Sequence, residues 1–144
     1  MKQDDPTKPH VEPNAPFEPE VVERAEQSLD ATGNMRLAIS NALVGIKKQL
    51  YGKGPVKAKT YINDTYVFSV LEGGLTRNEE TLLKAGEHRL VREYRLRFQE
   101  SVAPTITTAI EEVTGRKVLA YHSQIVFEPD RAFEIFVLDG PPRR

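Results

Sequence analysis

The sequence predicts an α+β fold, a two-layer sandwich in which a four-stranded antiparallel sheet carries its helices on one face. Three observations predict it. First, the chain nearly repeats itself. Ile39-Ser40-Asn41-Ala42-Leu43 recurs as Ile106-Thr107-Thr108-Ala109-Ile110, and Leu71-Glu72-Gly73 recurs at the same offset as Leu138-Asp139-Gly140. Asp64, ahead of Tyr66–Val70, corresponds within one residue to Asp130, ahead of Phe133–Val137. A fixed offset implies a pseudo-repeat of helix–hairpin units. Second, the apolar spacing switches twice from helical to alternating. Third, glycine, proline and Asn-Asp punctuation falls where those switches occur.

The elements follow in order. Residues 1–19 hold half of the chain's prolines, at positions 6, 9, 13, 16 and 19. Proline lacks an amide donor and fixes its own backbone angle, so this segment reads as a disordered tail. Pro6-Thr7-Lys8-Pro9 and Pro13-Asn14-Ala15-Pro16 match the short P-x-x-P pattern of groove ligands, a match that is common by chance. A single domain is expected over 20–140, with 141–144 as a terminal tail. Val21, Val22, Ala25 and Leu29 open a helix that Ala31-Thr32-Gly33-Asn34 interrupts. Met35, Leu37, Ala38, Ala42, Ile46 and Leu50 resume it to about 51, and Gly52 caps it.

Alternation of Lys57, Lys59 and Tyr61 with Val56, Ala58, Thr60 and Ile62 predicts a half-buried strand. Asn63-Asp64 turns it, and Tyr66–Leu71 returns as far as Gly73-Gly74. Thr76-Arg77-Asn78-Glu79 is a capping box that opens a short helix, which Gly86 breaks. A longer helix spans about 87–114. Its apolar stripe is Leu90, Val91, Tyr94, Phe98, Val102, Ile106, Ala109, Ile110 and Val113, and Pro104 should kink or split it. The second hairpin pairs 117–127 with 132–139 around Glu128-Pro129-Asp130-Arg131. Apolar residues populate both faces of the strands at Tyr66-Val67-Phe68 and Phe133–Val137. With helices on one face only, the other face is left to a second copy, so a homodimer is expected.

The totals narrow the function classes. The 144 residues suit one domain with a real core. Twenty basic residues against 21 acidic give a net charge of -1, which supplies no bulk attraction for nucleic acid or an anionic membrane. There is no cysteine, so disulfides, thiolate metal sites and a cysteine nucleophile are excluded. Met1-Lys2-Gln3-Asp4-Asp5-Pro6 is polar where a signal peptide would be apolar, and no apolar run could span a bilayer. A cytoplasmic location is expected.

Sites of chemistry are sparse. His10, His88 and His122 fall in no metal-ligand spacing, although His122 could bond the neighbouring Ser123. Gly52-Lys53-Gly54-Pro55 offers amides and a charge to an anion, but it leaves a helix and enters a strand, the reverse of a Walker loop. No G-x-S-x-G elbow occurs. Catalytic, cofactor and metal residues are therefore expected to be absent. The candidate interaction surface is basic: Lys53, Lys57 and Lys59 in the first hairpin, Arg89, Arg92 and Arg95 at three-residue steps on one helix face, and Arg116. Glutamates along the same helix also explain those arginines as a solvated face.

Several segments, taken in order, carry a family resemblance. They are Gly52-Lys53-Gly54-Pro55, Tyr61-Ile62-Asn63-Asp64, Leu71-Glu72-Gly73-Gly74-Leu75-Thr76, Leu90-Val91-Arg92-Glu93, Thr114-Gly115-Arg116-Lys117-Val118 and Glu134-Ile135-Phe136-Val137-Leu138. Over about 35–139 the chain resembles the MpsC-like family, a bacterial domain of unknown function. The family takes its name from a Na⁺-translocating, membrane-potential-generating system whose membrane partners look like bicarbonate transport components. The resemblance implies a small soluble accessory or regulatory protein for Na⁺/bicarbonate transport, with membrane transport subunits as partners and no catalytic residue to carry over. Two other readings stand beside it. One is a ligand- or nucleic-acid-binding regulator using the basic surface; the other is an uncharacterised enzyme with its site at the hairpin turns, near Asp64, Asp130 or His122.

Overall fold

A computed structural model describes residues 19–143, with side chains described from residue 33 onward. The expectations for the proline-rich segment before Pro19, including its P-x-x-P motifs and His10, lie outside the described residues. The element order is α1 (Pro19–Tyr51), β1 (Lys57–Asn63), β2 (Tyr66–Glu72), α2 (Arg77–Lys84), α3 (His88–Thr114), β3 (Val118–Val126) and β4 (Arg131–Leu138). The four strands form one antiparallel sheet in the order β1-β2-β4-β3. This is the predicted α+β architecture.

Two helix predictions are corrected. Gly33 does not interrupt α1, which runs unbroken through it. A single glycine costs a helix about 1 kcal/mol, which continued hydrogen bonding on both sides outweighs. Pro104 does not split α3, which continues to Thr114. Proline deprives only the carbonyl four residues earlier, and Glu100 and Pro104 both lie on the exposed side. Gly115 then ends α3 in the left-handed conformation (φ 66°), and Arg143 N donates to Thr114 O at 2.8 Å, tying the chain end to that cap.

The hairpins follow the predicted logic. Asp64 takes φ 55° in the β1–β2 turn, a conformation that Asp tolerates better than most residues. Thr76 caps α2, with its hydroxyl accepting from Glu79 N while the Glu79 carboxylate accepts from Thr76 N.

The main core lies between the helices and the inner sheet face. Ile39 and Leu43 of α1 and Val102, Ile106 and Ile110 of α3 meet Val67, Leu71, Phe136 and Leu138. The repeated sequence positions Ile39, Leu43, Ile106, Ile110, Leu71 and Leu138 are thus all buried. A shared demand for core residues accounts for the likeness at these positions. Leu75, Val91, Ile125 and Phe127 form a smaller core beneath α2 and the start of α3.

The inward faces of both long helices differ from the predicted stripes. Leu37 and Leu50 of α1 and Leu90 and Tyr94 of α3 are exposed. Ser40, Lys47, Arg95 and Gln99 are buried in their place. Apolarity alone selected the wrong residues, because these polar side chains find partners inside.

Candidate functional site: an ionic cluster beneath the helices

Strand alternation places Thr60, Ser69, Glu134 and Ser123 in one row across the inner sheet face. Four polar residues there would each be costly to bury alone. The helices above supply partners to Thr60 and Glu134, and Ser69 joins through Thr60. Ser40 Oγ lies 2.7 Å from Thr60 Oγ1, which lies 2.8 Å from Ser69 Oγ, so the hydroxyls form a chain.

Glu134 is fully buried beside them. Lys47 Nζ, from α1, reaches Glu134 Oε1 at 2.9 Å and donates to Gln99 Oε1 at 2.6 Å. Gln99, from α3, donates through Nε2 to both Glu134 oxygens, at 2.9 and 3.1 Å. Tyr121 OH donates to Glu134 Oε2 at 2.5 Å, and Tyr51 OH donates to Gln99 Oε1 at 3.2 Å. Burial pulls the Lys47 ammonium below its usual pKa, and Glu134 partly opposes this. Burial also raises the phenols of Tyr51 and Tyr121, and the Glu134 charge adds to both shifts.

One turn earlier on α3, Arg95 forms a second pair. Its Nε meets Glu79 Oε2 at 2.5 Å, and its Nη2 donates to Glu79 Oε1 and to Gly74 O, both at 2.8 Å. This is a bidentate fork, the stronger geometry for an arginine–carboxylate pair. Burial alone would raise the Glu79 carboxyl, but the bonds from Arg95 and Thr76 outweigh it and hold the carboxyl low. Burial opposes the Arg95 charge and Glu79 overcompensates, raising the guanidinium. The Tyr51 ring links the two pairs, with Arg95 Cζ 5.1 Å and Lys47 Nζ 5.4 Å from its centroid.

The predicted surface residues separate. Arg95 leaves the candidate surface altogether, because the capping glutamate of α2 draws it inward. Arg89 and Arg92 stay exposed on α3, with Arg92 over the Phe127 ring. Lys57 and Lys59 are exposed on the outer sheet face, and Lys59 lies over Tyr61. Lys53 is exposed in the loop after α1. Arg116 donates to Pro141 O at the far end of α3, about 40 Å along the helix from Arg89. These cations form no single patch.

The hairpin-turn site is also corrected. Tyr66 pairs with Val137 and Glu72 with Arg131, so the two turns lie at opposite ends of the sheet. Asp64 and Asp130 are roughly 20 Å apart along the strands. His122 and Ser123 point to opposite faces by strand alternation, and the buried Ser123 Oγ has no hydrogen-bond partner among the described residues. Among the described residues, no cluster of three His, Asp or Glu could hold a metal ion.

Sequence reasoning missed Lys47, Glu79, Gln99, Tyr121 and Glu134 as members of one site. One signal for Glu134 was visible: it alternates with apolar residues on the inward register of β4.

Fold and site together define a small two-layer α+β domain whose interior is bound by two compensated ion pairs. The chain belongs to the MpsC family, whose description, "Na+-translocating membrane potential-generating system (MpsC)", matches residues 31–140. It is also similar to the "Uncharacterized protein YrhF" of Bacillus subtilis (strain 168), at 29% identity over 96 residues, covering 65% of this chain and 79% of that protein. No solved structure matches.

Proposed function

We propose that this chain is a soluble, non-catalytic accessory or regulatory subunit of Na⁺-linked membrane transport, acting from the cytoplasmic side as a homodimer. Family membership supports the link to a Na⁺ membrane-potential system. Among the described residues, no helix is long and apolar enough to cross a membrane, so contact with a transporter would be made through a protein partner.

The open outer face of the sheet carries the reading. Lys59, Val70, Phe133 and Gln124 form one cross-strand row there, and Tyr61, Phe68, Ile135 and His122 form the next. Phe68 and Phe133 stack at 5.9 Å, and Tyr61 packs against Phe68 at 6.0 Å. Tyr61, Tyr66 and Ile135 are exposed on this face. A contiguous apolar sheet face is a common protein interaction surface. Its lysines lie along one edge strand, β1, and a twofold axis parallel to the strands would set that edge over β3 of the second copy, keeping the lysines apart.

The ionic cluster supports the non-catalytic part. Each buried cation has its own carboxylate, and burial keeps both phenols protonated. Among the described residues, the charged groups and phenols of the cluster are thus all engaged, which disfavours them as bases or nucleophiles. The scattered cations weigh against nucleic acid as the partner, since backbone binding needs a continuous basic track.

The test is affinity capture of the full chain, natively expressed and extracted with mild detergent. Co-purification of membrane transport subunits is expected with the wild type and should be lost on Phe133→Glu. Capture of no membrane transport subunit by the wild type overturns the accessory role.

A further inference from the structure

We propose that the crevice between the Gly52-Lys53-Gly54-Pro55 loop and the Gly73-Gly74 corner binds a small free oxyanion, a carboxylate or a phosphate, through Arg95 and Lys53. This goes beyond the accessory role and does not rest on it.

The crevice is lined by Lys47, Tyr51, Lys53, Gly74 and Arg95, among others. Three cations therefore line it. Glu79 and Glu134, which balance two of them, are not part of its lining. Arg95 spends Nε and Nη2 on Glu79 and Gly74, while no described residue accepts from Nη1. A guanidinium presents its donors in a rigid fork, so the unused nitrogen has a fixed direction. Among the described residues the only buried polar side-chain atom without a partner is Ser123 Oγ, so Nη1 stays open to solvent, where water or a ligand can meet it. Lys53 makes no ion pair among the described residues and sits at the same opening.

Glycine shapes the walls. Gly73 and Gly74 hold φ of 77° and 93°, and a Cβ on Gly74 would sit 3.3 Å from Pro55 N. The chain can approach this closely only without side chains. The crevice is narrow, with a cavity volume of about 10 Å³. Its base has room for roughly one water-sized group. Such a crevice can receive at most one oxygen of a ligand, the rest of which would remain outside it. That shape suits the terminal oxygen of an oxyanion and leaves no room for an apolar body.

Other charges bear on the site. The C-terminal end of α1 places a partial negative charge, about half a unit, near the loop. Asp130 is a further carboxyl near Arg95; burial raises its pKa and Arg95 opposes that shift. Glu79 already balances Arg95, so Arg95 offers a donor while Lys53 supplies the uncompensated positive charge set against the helix end.

The experiment titrates the ¹⁵N-labelled full chain with inorganic phosphate and, separately, with acetate, at constant ionic strength. Saturable shifts of the Gly54, Gly73 and Gly74 amides are expected with at least one anion, and the anion that saturates identifies the ligand chemistry. Lys53→Met, a change on an exposed loop, should weaken that binding about tenfold. Lys57→Met, on the outer sheet face, should leave it unchanged. No saturable shift with either anion overturns the proposal, as does equal weakening by both variants. Transporter capture and dimer mass are measured separately, so their failure is distinguishable from this one.

Discussion

Glu134 shows most plainly how much one residue can demand of a fold. A carboxylate with no exposed surface needs a cation and hydrogen-bond donors, and Lys47, Gln99 and Tyr121 come from three different elements to supply them. Removing one partner leaves the other charge buried and unpaired. Lys47→Met should therefore destabilise the chain by about 3–5 kcal/mol in urea unfolding. The double variant Lys47→Met/Glu134→Leu should recover much of that loss, because no orphaned charge remains. A double variant as unstable as the sum of the two single variants would refute the coupling. Glu79 makes a pH prediction. Its folded pKa is depressed below the ordinary 4.5, so its contribution is complete above that value and is lost as pH falls through the folded pKa. Glu79→Gln should weaken the protein at neutral pH and flatten the acid limb of its stability profile. An unchanged acid limb would contradict this.

At the scale of elements, local sequence was a good guide to type and a poor guide to orientation. Thr76-Arg77-Asn78-Glu79 announced the start of α2, and the structure forms both bonds of the capping box. Glu79 also receives the fork from Arg95, so the cap locks α2 to α3. Thr76→Ala should cost about 1 kcal/mol, read as a lowered urea midpoint. Gly33 lies inside α1 with nothing near the space a Cβ would take. Gly33→Ala should therefore stabilise the helix by about 0.5–1 kcal/mol, visible as a higher melting temperature. A fall in melting temperature would argue against a continuous α1.

At the scale of the whole molecule, the sheet has one covered face and one open face. Light scattering of the full chain is expected to give the mass of a dimer, and Ile135→Lys on the outer face should shift it to a monomer while the fold persists by circular dichroism. A monomer mass for the wild type at all concentrations would refute the dimer.

Much of this molecule was legible in order along the chain. Periodicity, capping and turn chemistry act over a few residues, so the number, type and sequence of elements could be read from the residues themselves. The interior could not be read that way. Leu37, Leu50, Leu90 and Tyr94 are apolar and spaced for burial, yet they face out, while Lys47, Arg95 and Gln99 face in. Whether a charged side chain is buried depends on a partner distant in sequence, as with Gln99 and Glu134. The matched positions Ile39, Leu43, Leu71, Ile106, Ile110 and Leu138 marked core residues in both halves. Only the tertiary structure decided that Lys53, Pro55 and Arg95 line one crevice, because that meeting requires the end of α1 to pack against α3 near Phe98 and Gln99.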